Sequence, residues 1–398
     1  MATPNRSALT SFDTSTCIHC GMCLQACPTY VETGNEAHSP RGRIYSLRAV
    51  AEGRLSWDEV QEQIDACLGC LACETACPSP VPYEQMLTAA RWEIERRRPP
   101  WQRASRRALV SVAQSPERFA LLAPLSSHPI ASRILGLAMG GSCLPVIPVA
   151  EPAEPLPPVV PASVERRGTV ALLVGCVQRV TLPDANRAAA RCLSANGFEV
   201  LNISHPECCG ALAAHYGDPS DAQRLARALA SACPPNTPLI ATAAGCGVFL
   251  ERALEESGTE VLDFAEFLWK RGWIAPLEPL DGLSVALHDP CHLEHGQGVK
   301  AQPRGLLSLI PGIRLHELDE NYCCGSAGLY NVYQPDMARR LLERKLNAIV
   351  RTGANRVLSS NPGCTLWLRQ GIAERGLALQ VLHLTEIMAS ALTDATLP

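Results

Sequence analysis

The chain has 398 residues, more than one hydrophobic core usually serves, so two or three domains are expected. A net charge of −4 with only 19% charged residues leaves no broad basic surface and argues against nucleic acid as the main partner. The opening stretch MATPNRSALTSFDTSTC lacks an apolar run of signal-peptide length, so a cytoplasmic location is expected. There thiols stay reduced, and the placement of the 19 cysteines becomes a question about metal rather than about disulfides.

Residues 1–100 read as one unit, because two tight cysteine groups fall there, joined by the amphipathic stretch Arg43 to Val60. Cys17, Cys20, Cys23 and Cys27, followed by Pro28, spell C-x2-C-x2-C-x3-C-P, and Cys67, Cys70, Cys73 and Cys77, followed by Pro78, spell it again. That run is the bacterial two-cluster ferredoxin signature. Three thiolates at two-residue gaps on a looping backbone reach three irons of one cubane, while the fourth, at the proline-terminated turn, points to the neighbouring cluster. One [4Fe-4S] cluster is thus assigned Cys17, Cys20, Cys23 and Cys77, and the other Cys67, Cys70, Cys73 and Cys27. Structural zinc is the alternative, but it uses CxxC pairs across longer loops and leaves the third cysteine and the Cys-Pro ending without a purpose. Gly21 and Gly69 suit a backbone that wraps closely around sulfide. His19 lies inside a complete four-cysteine set, so it is expected to pack or to tune the cluster rather than to ligate it.

Residues 101–167 read as a helical segment followed by a proline-rich linker at 141–167. Seven prolines between Pro145 and Pro161 predict extended chain without regular structure. The apolar window Ile134 to Ala150 is broken by Gly136, Gly140, Gly141, Pro145 and Pro148 and is too short to span a bilayer. Arg96, Arg97, Arg98, Arg103, Arg106 and Arg107 form the one basic cluster; the expectation is a solvated helix face, with docking to a partner subunit or anionic lipid as the alternative.

From Thr169 short apolar runs alternate with amphipathic helical stretches, an α/β pattern. The cysteines expose a duplication: Cys176 to Cys291 spans 115 residues (291 − 176), Cys208 to Cys323 again 115 (323 − 208), and Cys246 to Cys364 118 (364 − 246). Each copy, 168–280 and 281–398, reads strand, Cys, helix, strand, Cys-Cys-Gly, helix, strand, Cys, helix. The fold class is therefore a multidomain α+β and α/β chain, a mainly helical two-cluster ferredoxin-like domain followed by duplicated α/β cysteine-rich domains.

Copy one offers Cys176, Cys208, Cys209 and Cys246, and copy two offers Cys291, Cys323, Cys324 and Cys364. Adjacent cysteines are strained partners for a disulfide with each other but present two thiolates well to one metal centre. Gly210 and Gly325 would let the backbone turn close beneath, and the single cysteines fall just past strand ends, where α/β layers collect ligands. His205, His288, His292 and His295 lie nearby in polar stretches, where solvation is the expectation. Cys143, Cys192 and Cys233 match no repeat position and are expected to be ordinary buried thiols.

These motifs resemble the CCG cysteine-rich proteins: heterodisulfide reductase, anaerobic glycerol-3-phosphate dehydrogenase, lactate-utilisation proteins and the iron-sulfur subunit of glycolate oxidase. The last matches in layout over nearly the whole chain, through CIHCGMC, PRGRIY, CLGCLACETACPS, DPCH and NYCCGSAGLY in order. The resemblance implies an electron-transfer subunit without catalytic residues of its own. An FAD-containing dehydrogenase partner would oxidise glycolate to glyoxylate, a quinone-type acceptor would take the electrons, and the complex would associate peripherally with the inner face of the cell membrane. Lactate and glycerol-3-phosphate dehydrogenase subunits, or a catalytic subunit like that of heterodisulfide reductase, are the alternatives. Consistently, no GxGxxG follows a predicted strand and no P-loop is present. One departure stands out: the family ends each copy in CxxC, whereas Phe249 and Trp367 occupy the places of a fifth thiolate, so a noncubane cluster is not expected. Four cysteines per copy suit a further cubane cluster, zinc, or a reduced-thiol core, and the residues leave the three open.

Overall fold

The computed structural model describes residues 14–138, 147, 155–204 and 208–393. Its N-terminal helices start where capping chemistry places them. Ser39 accepts from the Gly42 amide and Pro40 takes the first position of the helix Pro40–Ala51. Ser56 and Glu59 form a reciprocal capping box at the head of Trp57–Asp65. The amphipathic stretch Arg43 to Val60 therefore falls on two helices rather than one, with Gly53 in the left-handed region at the break. Ile44, Leu47, Ile64, Met86, Leu87, Ala90 and Ile94 meet in a core that also contains Cys67 and Cys73, so the apolar helix faces pack directly on the cysteine loops.

The arginine cluster is only partly solvated. Arg98 is buried, held by Asp65 at 2.5 Å and Glu95 at 3.0 Å. Arg106 reaches Glu95 at 3.1 Å and lies over the Tyr333 ring at 4.1 Å from its centroid. Two acidic partners facing the same side make that burial affordable, because a buried guanidinium persists only when paired. Arg96, Arg97, Arg103 and Arg107 are exposed as expected.

The second half holds two sheets. The first is ordered β1-β3-β2-β4-β5, from β1 (Val159–Val160), β2 (Gly168–Leu173), β3 (Phe198–Ile203), β4 (Leu239–Ala241) and β5 (Val261–Asp263). The second is ordered β7-β6-β8-β9, from β6 (Ser284–His288), β7 (Arg314–His316), β8 (Arg356–Ser359) and β9 (Gln380–Leu382). Apart from β1 all pairings are parallel, and β3-β2-β4-β5 matches β7-β6-β8-β9 strand for strand, as a duplication requires. The central strands β2 and β6 are mostly buried, as strands of a parallel sheet covered by helices are. The proline-rich linker is not wholly without regular structure: Val159 and Val160 pair antiparallel with Leu201 and Val200, closing the edge of the first sheet. A short strand at an edge tolerates flanking prolines, since it needs few donors. Residues 141–146 and 148–154 of that linker, Cys143 among them, lie outside the described residues.

The copies share a core, in which Leu193, Phe267, Leu306 and Met388 belong to one buried cluster. His383 bonds the Thr242 carbonyl at 2.9 Å and Thr385 donates to the Ala185 carbonyl at 2.8 Å, tying the end of copy two to copy one. Among the described residues no helix is long and apolar enough to cross a membrane.

Candidate metal centres

Cys17, Cys20, Cys23 and Cys77 line one pocket, which Cys73 also borders, and Cys27, Cys67, Cys70 and Cys73 line the next. The fourth cysteine of each run thus sits with the first three of the other. Each loop carries the same pair of left-handed residues. His19 (φ 54°) and Gly21 (φ 86°) in the first run correspond to Gly69 (φ 66°) and Leu71 (φ 65°) in the second, at the 50-residue offset of the motifs (67 − 17). A guanidinium underlies each loop: Arg41 donates to the His19 carbonyl at 2.9 Å and Arg91 to the Cys67 carbonyl at 2.6 Å. Gly21 takes up its left-handed conformation without strain, and a Cβ there would lie 2.6 Å from Arg41 Nη1.

A third arginine serves the second pocket. Arg43, 1% exposed, donates to the Gln63 carbonyl at 2.7 Å and Thr29 Oγ1 at 3.0 Å, with Cys27 Sγ at 3.8 Å. Burial pushes the Cys67 thiol up, but Arg43, Arg91 and the Tyr83 hydroxyl at 3.4 Å outweigh it and hold the group below the ordinary thiol value. Cys70 and Cys73 go the other way, raised well above it by burial and by neighbouring sulfurs. Buried thiols of this kind release their protons when a metal replaces them. Sequence reasoning missed Arg41, Arg43 and Arg91 as members of the site, although the first two lie in PRGRIY, a motif it had singled out.

In the cysteine-rich copies the strand ends deliver the single cysteines. Cys176 opens a helix after β2, and Cys246 lies in the first turn of Ala244–Ala253 after β4. Cys208 contacts Cys176 and Cys209, and Cys209 contacts Cys246. Sulfhydryl donors from Cys176 and Cys209 hold the Cys208 thiol well below its usual value, and the same contacts raise both donors. In copy two Cys291 Sγ stands 3.8 Å from Cys323 Sγ, and Cys324 adjoins Cys323 and Cys364. The glycines after the cysteine pairs sit at φ 100° (Gly210) and 89° (Gly325). A Cβ there would meet the carbonyl oxygens of Ala222 at 2.5 Å and Ala338 at 2.7 Å, so the backbone passes tight over the helices Pro219–Ala232 and Pro335–Arg351. Phe249 and Trp367, standing where the fifth thiolates would be, pack into the two cores.

The two tetrads, separate in the sequence, border one cavity of about 360 Å³. Cys176, Cys208, Cys209 and Cys246 line it from one side and Cys291, Cys323 and Cys364 from the other, under an apolar roof including Leu109, Val112 and Phe119. Both sheets aim the carboxyl ends of their strands at this space, a relation that only packing establishes. The second tetrad also meets the ferredoxin loops: Leu68 belongs to the buried cluster that contains Cys323 and Cys324, and Cys70 and Cys291 pack against it.

The expected solvation of the histidines is overturned. His288 is 1% exposed. His292 stacks on His215 with ring centroids 5.2 Å apart and bonds the Gly69 carbonyl at 2.9 Å. His295 is mostly covered, and burial pushes all three imidazoles below their ordinary pKa. The fold closes over the DPCH stretch, so its polar sequence misleads; His205 lies outside the described residues. Cys192 is fully buried as expected, whereas Cys233 is only partly covered.

Four sulfurs converging in each ferredoxin-type pocket, on loops backed by cationic guanidiniums, fit a [4Fe-4S] cluster, whose thiolates carry net negative charge. The fold and these pockets define a two-cluster iron-sulfur protein with a duplicated cysteine-rich domain. Residues 13–81 match the family described as 4Fe-4S dicluster domain, and residues 170–251 and 285–369 each match the family described as Cysteine-rich domain. The chain is 31% identical to the probable glycolate oxidase iron-sulfur subunit of Bacillus subtilis (strain 168), over 94% of this chain and 93% of that protein. It is 32% identical, with the same coverage, to the glycolate oxidase iron-sulfur subunit of Escherichia coli (strain K12). It is 27% identical to a dihydromethanophenazine:CoB–CoM heterodisulfide reductase subunit of Methanosarcina mazei, over 98% of this chain and 97% of that protein. The chain belongs to the family of glycolate oxidase iron-sulfur subunits, and its cofactors are [4Fe-4S] clusters.

Proposed function

We propose that this chain is the electron-transfer subunit of a glycolate-oxidising complex, taking electrons from an FAD-containing partner and passing them to a quinone-type acceptor. The observation that carries the reading is the continuous run of thiol pockets from the surface to the central cavity. Cys20 is exposed in the first pocket, Cys73 borders the first and second, and Cys70 packs with Cys291 and Cys323 at the cavity wall.

On this reading Cys17, Cys20, Cys23 and Cys77 hold one cluster and Cys27, Cys67, Cys70 and Cys73 the other. [4Fe-4S] clusters supply single-electron transfer with little rearrangement, which suits a flavin that gives up two electrons. Arg41, Arg43 and Arg91 offset the charge of the bound thiolates. Ile18 and Met22, 66% and 62% exposed on the first loop, offer an apolar contact face for the dehydrogenase subunit. The apolar cavity is where a planar acceptor would come within reach of both tetrads.

The test is anaerobic bleaching of the iron-sulfur absorbance by glycolate, with and without the partner flavoprotein. Reduction by glycolate in the presence of the partner, and none without it, is expected. Glycolate oxidation by the chain alone would overturn the division of labour, and bleaching by lactate or glycerol 3-phosphate in place of glycolate would reassign the substrate. The cavity flanked by two thiol tetrads favours one second reading, reduction of a disulfide there, which turnover of a disulfide by the chain with a chemical reductant would support.

A further inference from the structure

The two cysteine-rich copies are alike in their cysteines and different in what surrounds them. His288, the last residue of β6, is 1% exposed, and neither ring nitrogen has a hydrogen-bond partner. Its ligand atom and the sulfurs of Cys324 and Cys364 all lie within 4.8 Å of one another. A neutral imidazole sealed from water with both nitrogens unpaired is costly unless something accepts a lone pair.

The repeat supplies an internal control. Counting from Cys176 and Cys291, His288 corresponds to Leu173 (288 − 115). Beyond the cysteine pairs Gly210 abuts Ala222 as Gly325 abuts Ala338, an offset of 116 (338 − 222), so Lys345 corresponds to Leu229 (345 − 116). Leu173 and Leu229 pack together in the apolar cluster that contains Cys209. In copy two these leucines are replaced by a histidine and a lysine, both buried, at 1% and 2% exposure. The Lys345 amine touches neutral acceptors, Asn321 Oδ1 at 2.9 Å and the Glu320 carbonyl at 3.5 Å. The groups near it that can carry negative charge are Asp289 and the thiols of Cys323, Cys324 and Cys364. An ammonium buried here needs negative charge beside it, which three thiolates on one divalent ion would leave in excess.

We propose that copy two, and not copy one, is built around a metal centre in which His288 supplies a nitrogen ligand beside Cys324 and Cys364, with Cys323 adjoining and Lys345 offsetting the thiolate charge. The donor set, imidazole with thiolates, is one that iron and zinc both accept. The second copy thereby makes up in nitrogen for the fifth sulfur that Trp367 displaces. In copy one, Leu173 and Leu229 leave the tetrad with sulfur donors alone.

The experiment uses the full chain purified anaerobically as wild type, His288→Leu, and His288→Leu with Lys345→Leu, each variant restoring the residues of copy one. Iron, zinc and sulfide are counted per chain, folding is checked by circular dichroism, and nitrogen ligation is read on the wild type. Pulsed EPR of protein carrying isotopically labelled histidine reports it for iron, and X-ray absorption at the zinc edge reports it for zinc. Wild type is expected to hold metal beyond the roughly eight irons of two cubanes, with an imidazole nitrogen bound to it, and both variants to keep about eight irons and lose the surplus. Surplus iron with imidazole coupling identifies an iron centre, and surplus zinc with a nitrogen shell a zinc centre. No surplus metal, a surplus with sulfur ligands alone, or a surplus unchanged in the variants would overturn the proposal. If the variants fail to fold, the wild-type nitrogen measurement decides. Loss of the eight irons themselves would instead count against the ferredoxin assignment, so the two failures are distinguishable.

Discussion

His19 and Leu71 hold a backbone conformation that L-residues avoid, at φ 54° and 65°, because the loop requires it at equivalent points in both runs. At the position of His19 the second run has Gly69, which adopts the same conformation without strain. His19→Gly should therefore stabilise the protein by about 1 kcal/mol, and Gly69→Ala should destabilise it by about as much. Anaerobic denaturant unfolding measures both, and a loss of stability in His19→Gly would show that the ring's edge-on contact with Tyr45 outweighs the strain. The arginines teach a related lesson. Arg43 looks like any helix-surface arginine in sequence, yet it is among the most buried side chains of the chain, because Thr29, Gln63 and Cys27 all turn toward it.

At the scale of elements, the crossing of Cys27 and Cys77 between pockets locks two loops and three helices into one unit. If each fourth cysteine serves the other run's cluster, Cys77→Ser removes the cluster of Cys17, Cys20 and Cys23, and Cys27→Ser that of Cys67, Cys70 and Cys73. Each variant should lose about four or more of the roughly eight irons of the two cubanes, with different residual EPR signals. Identical residual signals would refute the crossed assignment. The C-x2-C-x2-C-x3-C-P spacing made these eight cysteines legible because the ligand geometry is local. The tetrads of the two copies were legible only as sets. Their approach across one cavity depends on how two sheets pack, which no spacing within either copy encodes.

Across the molecule, His383 joins the copies. Burial holds its imidazole down at about 4 from the usual 6.5, against the opposing bond to the Thr242 carbonyl. Folding thus favours the neutral ring, so its contribution is fully present above pH 6.5 and is lost as pH falls toward 4, where the unfolded chain takes up a proton the folded one refuses. Over that window the wild type should lose about 3 kcal/mol more stability than His383→Gln. Urea unfolding at several pH values checks this, and parallel losses in the two proteins would discard it.

Cysteine spacing, the 115-residue repeat and the strand-helix alternation settled the cofactor class and the duplicated α/β architecture, because each rests on short-range geometry. Packing decided the rest. It buried Arg98 between two acids, closed over His288 and His292, paired part of the proline-rich linker with β3, and turned two tetrads toward a common cavity. Burial and charge pairing depend on which surfaces meet, and residues as far apart in the chain as Gly69 and His292 meet only once the sheets and helices have docked.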